Sequence, residues 1–206
     1  MIRRLFIVLL IFTAGQAGAI ETEITRSLDF NVFLNDREVG RHRFELLEQA
    51  ESIEVSSTMS LDFKVLRIKR IQYRHQANEV WQSGCLVALQ SDTEKQGKIF
   101  AVDASTDASG LVVQRPSGSE TLTGCVRGFS YWNPQWLEGN YLLNAESGIN
   151  VPVEISSRIS EQDNIQHIKI ALPKTVIDLQ YDAAGEWLSL RTKLLIGGTL
   201  HYQRVF

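Results

Sequence analysis

Residues 53–64 read IEVSSTMSLDFK, and this stretch decides the fold class. Its odd-numbered positions are mostly apolar, and its even-numbered positions are polar or charged. Successive side chains of a β-strand point to opposite faces of the sheet, so the pattern predicts a long strand with one packed face and one solvated face.

The same alternation continues on both sides of this stretch. Residues 29–34 and 39–46 flank the turn at Asn35-Asp36-Arg37 and predict a hairpin. Further strands are predicted at 71–77, 86–91, 98–103, 111–114, 141–144, 151–158, 165–172, 176–181, 187–195 and 200–205. About a dozen short strands joined by short turns predict an all-β, mainly antiparallel fold. We expect a curled meander sheet that forms a half-barrel, a barrel or a sandwich.

Two segments depart from the pattern. Asn133 before Pro134 is typical of a helix start, so a short helix is predicted at 134–138, ended by Gly139. The segment from Asp103 to Ser119 is rich in Ser, Asp and Gly and is predicted to be the most mobile loop of the chain.

The first residues have the features of a secretory signal peptide. Arg3 and Arg4 precede the apolar run Leu5–Phe12, and Ala17-Gly18-Ala19 supplies the small residues of a cleavage site. A membrane anchor is the alternative, but the run is about half the length that a spanning helix needs. We therefore expect residues 1–19 to be a signal peptide cleaved after Ala19. Residues 20–206 would then form a single antiparallel β domain in the periplasm, with no membrane span.

Charge and cysteine content narrow the function classes. The chain has 21 basic and 24 acidic residues, and the basic ones are scattered apart from Arg67, Lys69 and Arg70, so no nucleic-acid partner is predicted. Cys85 and Cys125 are the two cysteines, and export to an oxidising compartment favours a disulfide between them. A metal site or a catalytic thiol is the alternative, but neither cysteine has a ligand at zinc spacing. We expect no metal and no cofactor.

Local catalytic motifs are absent from the sequence. It has no phosphate-binding loop, no dinucleotide fingerprint and no nucleophile elbow, so no catalytic residue is assigned. His42 and His75 share parity with apolar neighbours and should face the packed side of their strands. Each is either a hydrogen-bonded core residue or part of a site with Tyr73 and Glu79. Glu79 alone is also explained as a strand-edge carboxylate in water.

The most distinctive stretch is aromatic and does not alternate. Tyr131, Trp132, Trp136 and Leu137 are predicted either to wall an apolar ligand pocket or to plug the end of the curled sheet. Both alternatives place these side chains at the mouth of the hollow.

Several short motifs together resemble an uncharacterised family of secreted bacterial proteins, catalogued as domain of unknown function 6134. The resemblance covers nearly the whole chain after the signal segment, and Tyr131-Trp132-Asn133-Pro134 is its most specific part. The other motifs are Phe30-x-Val32-x-Leu34, Gly40-x-His42-Arg43-Phe44, Glu79-Val80-Trp81, Gly84-Cys85-Leu86, Cys125, Leu142-Leu143-Asn144, Gly148 and Gly185-Glu186-Trp187. More weakly, the chain is similar to other envelope proteins with a curled sheet. The family implies a periplasmic setting and no activity.

Three functions remain open at this point. The first is a non-catalytic periplasmic β protein that binds a lipid or another apolar or amphipathic ligand. The second is an envelope assembly or interaction module with a protein partner. The third is a hydrolase-like enzyme with a His, Tyr and Glu site, in which a histidine acts as the general base.

Overall fold

The computed structural model describes residues 25–65, 69–195 and 197–206. The predicted signal peptide lies outside these residues. The described chain is almost entirely β-strand, which confirms the predicted all-β, antiparallel fold. The alternating stretch at 53–64 lies in strand β3. On its inward face, Val55, Met59, Leu61 and Phe63 are all buried.

The described residues contain fifteen strands. They are β1 Arg26–Leu34, β2 Arg37–Glu48, β3 Ile53–Val65, β4 Lys69–Gln82, β5 Cys85–Lys95, β6 Lys98–Asp107, β7 Gly110–Arg115, β8 Gly118–Leu122, β9 Tyr141–Asn144, β10 Ile149–Pro152, β11 Glu154–Ile159, β12 Gln166–Ala171, β13 Val176–Tyr181, β14 Trp187–Lys193 and β15 Thr199–Val205.

Thirteen of the strands form one sheet in the order β11-β12-β13-β14-β15-β1-β2-β3-β4-β5-β6-β7-β8. Every neighbouring pair is antiparallel, and the last strand β15 pairs with the first strand β1. The sheet curls so that strands that are not neighbours share one interior, where for example the ring of Trp187 on β14 lies 5.5 Å from that of Phe44 on β2, although β15 and β1 lie between these strands in the sheet. Within the described residues, β8 and β11 are not paired with each other, so the curled sheet stays open along a seam.

Strands β9 and β10 form a separate hairpin on the concave side of β5, β6 and β7. The Ser91 hydroxyl of β5 donates to the carbonyl of Ala145 at 2.5 Å. Gly148 has a φ of 64°, and a Cβ there would lie 3.0 Å from Val102 Cγ1 and 3.2 Å from Val113 Cγ1. Glycine is therefore required at this turn both by the backbone and by the close approach to β6 and β7.

Three boundary predictions need correction. The predicted strand 151–158 is split, because Val153 lies between β10 of the hairpin and β11 of the large sheet. The predicted mobile loop from Asp103 to Ser119 is built mostly from β6, β7 and β8 and their tight turns. The predicted helix 134–138 is a single 3-10 turn, Pro134–Trp136, and Asn133 does cap it by accepting from the backbone N–H of Gln135.

Candidate functional site

A row of inward-facing side chains crosses the sheet at mid-height. The strand register places Phe30 opposite His42, His42 opposite Met59, Met59 opposite His75 and His75 opposite Thr93. The parity prediction for both histidines is therefore confirmed. They do not touch, because Met59 separates them and two strand spacings amount to roughly 10 Å.

His42 is buried in an aromatic environment. Its Nδ1 lies 3.1 Å from the Tyr202 hydroxyl, its ring lies 4.1 Å from that of Phe44, and its Nε2 is buried without a hydrogen-bond partner among the described residues. Burial lowers the pKa of His42 to about 3, with a smaller contribution from His75. The imidazole is therefore neutral at physiological pH.

A second cluster of polar side chains surrounds Glu146, which lies in the turn of the β9–β10 hairpin. The Tyr73 hydroxyl donates to Glu146 at 3.0 Å, and the Lys95 ammonium forms an ion pair with the same carboxylate. His75 bonds instead to the Thr93 hydroxyl at 2.7 Å, and burial lowers its pKa although nearby Glu146 opposes the shift. Sequence reasoning missed Glu146 and Lys95, because no local pattern connects them with Tyr73.

Glu79 lies inside the sheet, so the explanation as a strand-edge carboxylate in water is wrong. Its carboxylate accepts the indole N–H of Trp81 at 2.8 Å. Burial raises the pKa of Glu79 to about 7, and the hydrogen bond from Trp81 partly opposes this shift. Glu79 is four residues from His75 on the same strand, a separation of roughly 13 Å.

The four side chains that an enzyme would need are thus held in separate contacts. Within the described residues, no hydrogen bond joins any two of His42, Tyr73, His75 and Glu79. This geometry does not support a His, Tyr and Glu catalytic site. Among the same residues, no cluster of three or more His, Cys, Asp or Glu side chains could hold a metal ion.

The aromatic segment packs into one end of the curled sheet, where β4 joins β5 and β13 joins β14; we call this the aromatic end. Trp132 is buried, with its ring centroid 5.8 Å from Trp81 and 5.1 Å from Trp136, and Trp136 also stacks on Trp81 at 5.5 Å. Leu137 is buried beside them. The rings contact one another, as expected if the segment fills this end of the sheet. We call Tyr131, Trp132, Trp136 and Leu137 the aromatic plug.

Tyr131 links the same segment to the other side of the sheet. Its ring lies 5.4 Å from that of Trp187 on β14, and its carbonyl accepts the Tyr181 hydroxyl of β13 at 2.8 Å. The plug therefore contacts both halves of the curled sheet.

A disulfide and charged hydrogen bonds connect the segment that carries the plug to β5 and to the turn before β5. Cys85 and Cys125 form the predicted disulfide. The Arg127 guanidinium donates to the carbonyl of Gly84 and pairs with Glu138. The segment between Cys125 and Glu138 is consequently held at both of its ends.

The seam contains an open groove that sequence reasoning did not predict. A groove of about 590 Å³, here called the seam groove, runs between the β9–β10 hairpin and the start of β11 and end of β12. Six of its eight lining residues have apolar or aromatic side chains, and Asn140, Glu154 and backbone atoms supply polar surface beside them; the eight are Asn140, Tyr141, Pro152, Val153, Glu154, Ala171, Leu172 and Pro173. The side chain of Tyr141 is 55% exposed, which is unusual for so large an aromatic residue in a core-facing hairpin.

Two other concavities differ in chemistry or position. A groove of about 470 Å³ lies on the other side of Tyr141, beside the end of β8. Another, of about 520 Å³, lies on the outer face of β3 to β7 and is lined mainly by polar side chains such as Glu54, Asn78, Gln90 and Gln114. Tyr141 therefore stands between two grooves at the open seam.

Comparison with known proteins supports the resemblance inferred from the sequence. A family model described as "Domain of unknown function (DUF6134)" matches residues 30–205. No curated protein matches significantly. The crystal structure of a β-barrel-like protein of domain of unknown function DUF1849 from Brucella abortus superposes with a TM-score of 0.61 at 12% identity, over 87% of this chain and 94% of that chain. At that identity, the likeness shows the fold alone.

Proposed function

This chain belongs to the DUF6134 family, and we propose that it is a non-catalytic periplasmic protein that binds an apolar or amphipathic ligand in the seam groove. The observation that carries the proposal is the groove itself. Its volume of about 590 Å³ lies within the range of small-molecule sites, which are typically mostly apolar with a few polar groups.

Three polar side chains of the interior already have hydrogen-bond partners, which supports a ligand site at the seam rather than in the centre of the sheet. Tyr202, Thr93 and Glu146 already bond to His42, His75 and Tyr73 respectively. The predicted aromatic wall of Tyr131, Trp132, Trp136 and Leu137 is occupied with its own packing. The apolar part of a ligand would instead lie on Tyr141, Pro152 and Leu172.

The export features of the sequence support the periplasmic part of the proposal. The segment from Arg3 to Ala19 has the charge, apolar run and small residues of a cleavable signal, and the chain carries the disulfide that an oxidising compartment permits. No helix among the described residues has the length and apolar character needed to traverse a bilayer.

The proposal is tested by titrating delipidated protein with a fluorescent fatty acid. Tyr141→Ser combined with Leu172→Ser should lower affinity at least tenfold, since together they remove much of the apolar lining. Ile159→Ser is the matched control, because Ile159 is 65% exposed and lies outside the groove. If the wild-type protein takes up no probe, or if both variants bind as it does, the proposal fails.

A second function is favoured by the unpaired edges of β8 and β11, which face the seam. An exposed strand edge is a ready template for a partner's strand, so an envelope assembly or interaction module also fits. A photo-crosslinking amino acid at Tyr141 in cells distinguishes the two: a lipid or small-molecule adduct favours the binding protein, and a protein adduct of defined mass favours the module.

A further inference from the structure

The antiparallel order of the sheet sorts the charged residues of this chain between its two ends. The end opposite the aromatic end is where β1 joins β2, β3 joins β4, β5 joins β6, β7 joins β8, β12 joins β13 and β14 joins β15. We call it the lysine end. In sequence its basic residues are scattered, and only the strand order brings them together.

The described connections of the large sheet at the lysine end, each counted with the strand residue on either side, carry seven basic residues and one acidic residue, Asp36, and the β9–β10 turn adds Glu146, which pairs with Lys95. The basic residues are Arg37, Lys69, Lys95, Lys98, Arg115, Lys174 and Lys193. At the opposite end, the hairpin connections between β2 and β3, β4 and β5, β6 and β7, β11 and β12, and β13 and β14 carry seven acidic residues and no basic one, while Arg26, Arg127 and Arg204 nearby pair with Glu186 or Glu138. The acidic residues are Glu48, Glu51, Asp107, Glu161, Asp163, Asp182 and Glu186.

Exposed apolar side chains accompany the lysines at the same end. Ile99, next to Lys98, is 71% exposed, and Leu195, two residues after Lys193, is 75% exposed. Phe100 and Val176 are also among the exposed large hydrophobic residues. Within the described part of the chain, Lys98, Lys174 and Lys193 take part in no ion pair, whereas Lys95 pairs with Glu146.

We infer that the lysine end docks on the surface of an anionic lipid bilayer. Basic side chains are attracted to anionic headgroups, and neighbouring apolar side chains can enter the interfacial region. The chain as a whole is acidic, with 24 acidic against 21 basic residues, so a bilayer of negative charge attracts one orientation and repels the opposite one. The docked orientation places the lysine end on the lipid and the acidic, plugged end away from it.

This inference does not depend on ligand uptake by the seam groove. The connection between β12 and β13 nevertheless contributes both Lys174 to the lysine end and Pro173 to the groove. Docking would therefore bring one margin of the groove towards the membrane surface.

Co-sedimentation with vesicles tests the inference. The mature chain should bind vesicles of phosphatidylcholine mixed with phosphatidylglycerol, should bind phosphatidylcholine alone at least tenfold more weakly, and should be released by high salt. Lys98→Glu with Lys193→Glu should lower affinity for the anionic vesicles by roughly 25-fold or more, since each lysine near such a surface contributes about fivefold.

Arg41→Glu with Arg158→Glu is the matched control. Both arginines are exposed, and the double variant makes the same change in net charge away from the lysine end. It should bind nearly as the unmodified chain does. Equal loss in both double variants, equal binding to both kinds of vesicle, or no binding to either would overturn the inference. Fluorescent fatty-acid uptake should be unchanged in the lysine variant, which separates docking from ligand binding.

Discussion

Glu79 and Trp81 lie two residues apart on the inward face of β4, and the indole N–H of Trp81 donates to the Glu79 carboxylate at 2.8 Å. This hydrogen bond places an ionisable group directly beneath the aromatic plug, because Trp81 also contacts Trp132 and Trp136. The stability of that end of the molecule should therefore depend on pH.

The first prediction concerns Glu79. Burial raises its pKa from 4.5 to about 7, so between these values the folded state binds more protons than the unfolded chain. The contribution of Glu79 to the free energy of unfolding should consequently fall as pH rises from about 4.5 to 7, by at most about 3 kcal/mol, while below pH 6.5 the buried His42 contributes a slope of the opposite sign. Glu79→Gln should remove the slope of this contribution and be more stable than the wild type at pH 8 in urea unfolding. Glu54→Gln, at an exposed position on β3, should leave the slope in place.

His42 predicts a pH dependence of the opposite sign. Its pKa is lowered from 6.5 to about 3, so below pH 6.5 the unfolded chain takes up a proton that the folded protein does not. The contribution of His42 to stability should therefore decrease as pH falls from 6.5 towards 3, and below about pH 4.5 the contribution of Glu79 no longer offsets it. His42→Phe should reduce this acid sensitivity in urea unfolding monitored by circular dichroism. His167→Gln serves as the control, and an unchanged acid limb in His42→Phe would contradict the assignment.

The disulfide should stabilise the fold through the loop it closes. Cys85 and Cys125 are 40 residues apart, and the loss of loop-closure restraint predicts a destabilisation of about 4 kcal/mol. Replacement of both cysteines by serine should lower the urea midpoint by a corresponding amount and increase proteolysis between residues 125 and 138. A double variant with the stability and protease resistance of the oxidised protein would contradict this role.

Trp132 and Trp136 should contribute unequally to the plug. Trp132 is 2% exposed, so Trp132→Ala should cost about 3–5 kcal/mol in unfolding free energy. Trp136 is only half-buried, and Trp136→Ala should cost less, because part of its surface already contacts solvent. Thermal unfolding of the two variants checks the order, and a larger loss for Trp136→Ala would show that the plug is fastened differently.

The local sequence patterns predicted most of the fold. Alternation identified nearly every strand and the inward orientation of His42 and His75, because the two-residue period is a property of each strand alone. It could not predict that β9 and β10 leave the large sheet. That choice depends on contacts such as Gly148 against Val102 and Val113, which involve strands far apart in sequence.

The site was less predictable for the same reason. Tyr202 reaches His42 across 160 residues of sequence, and Glu146 reaches Tyr73 across 73, so neither pair leaves a local signal. Four of the eight candidate ligand residues, Tyr131, Trp132, Trp136 and Leu137, lie in the aromatic plug. The seam groove lies between the β9–β10 hairpin and the edge of the sheet at β11 and β12, and strand periodicity does not indicate where a sheet ends or how far it closes.

The most direct test of the proposed ligand binding is native mass spectrometry of the protein isolated from the periplasm, followed by extraction of whatever is bound. The account predicts a population heavier than the mature polypeptide by the mass of a lipid or another amphipathic molecule, and loss of that population in the Tyr141→Ser, Leu172→Ser variant. A single species at the polypeptide mass, in a protein that also takes up no added fatty acid, would contradict it.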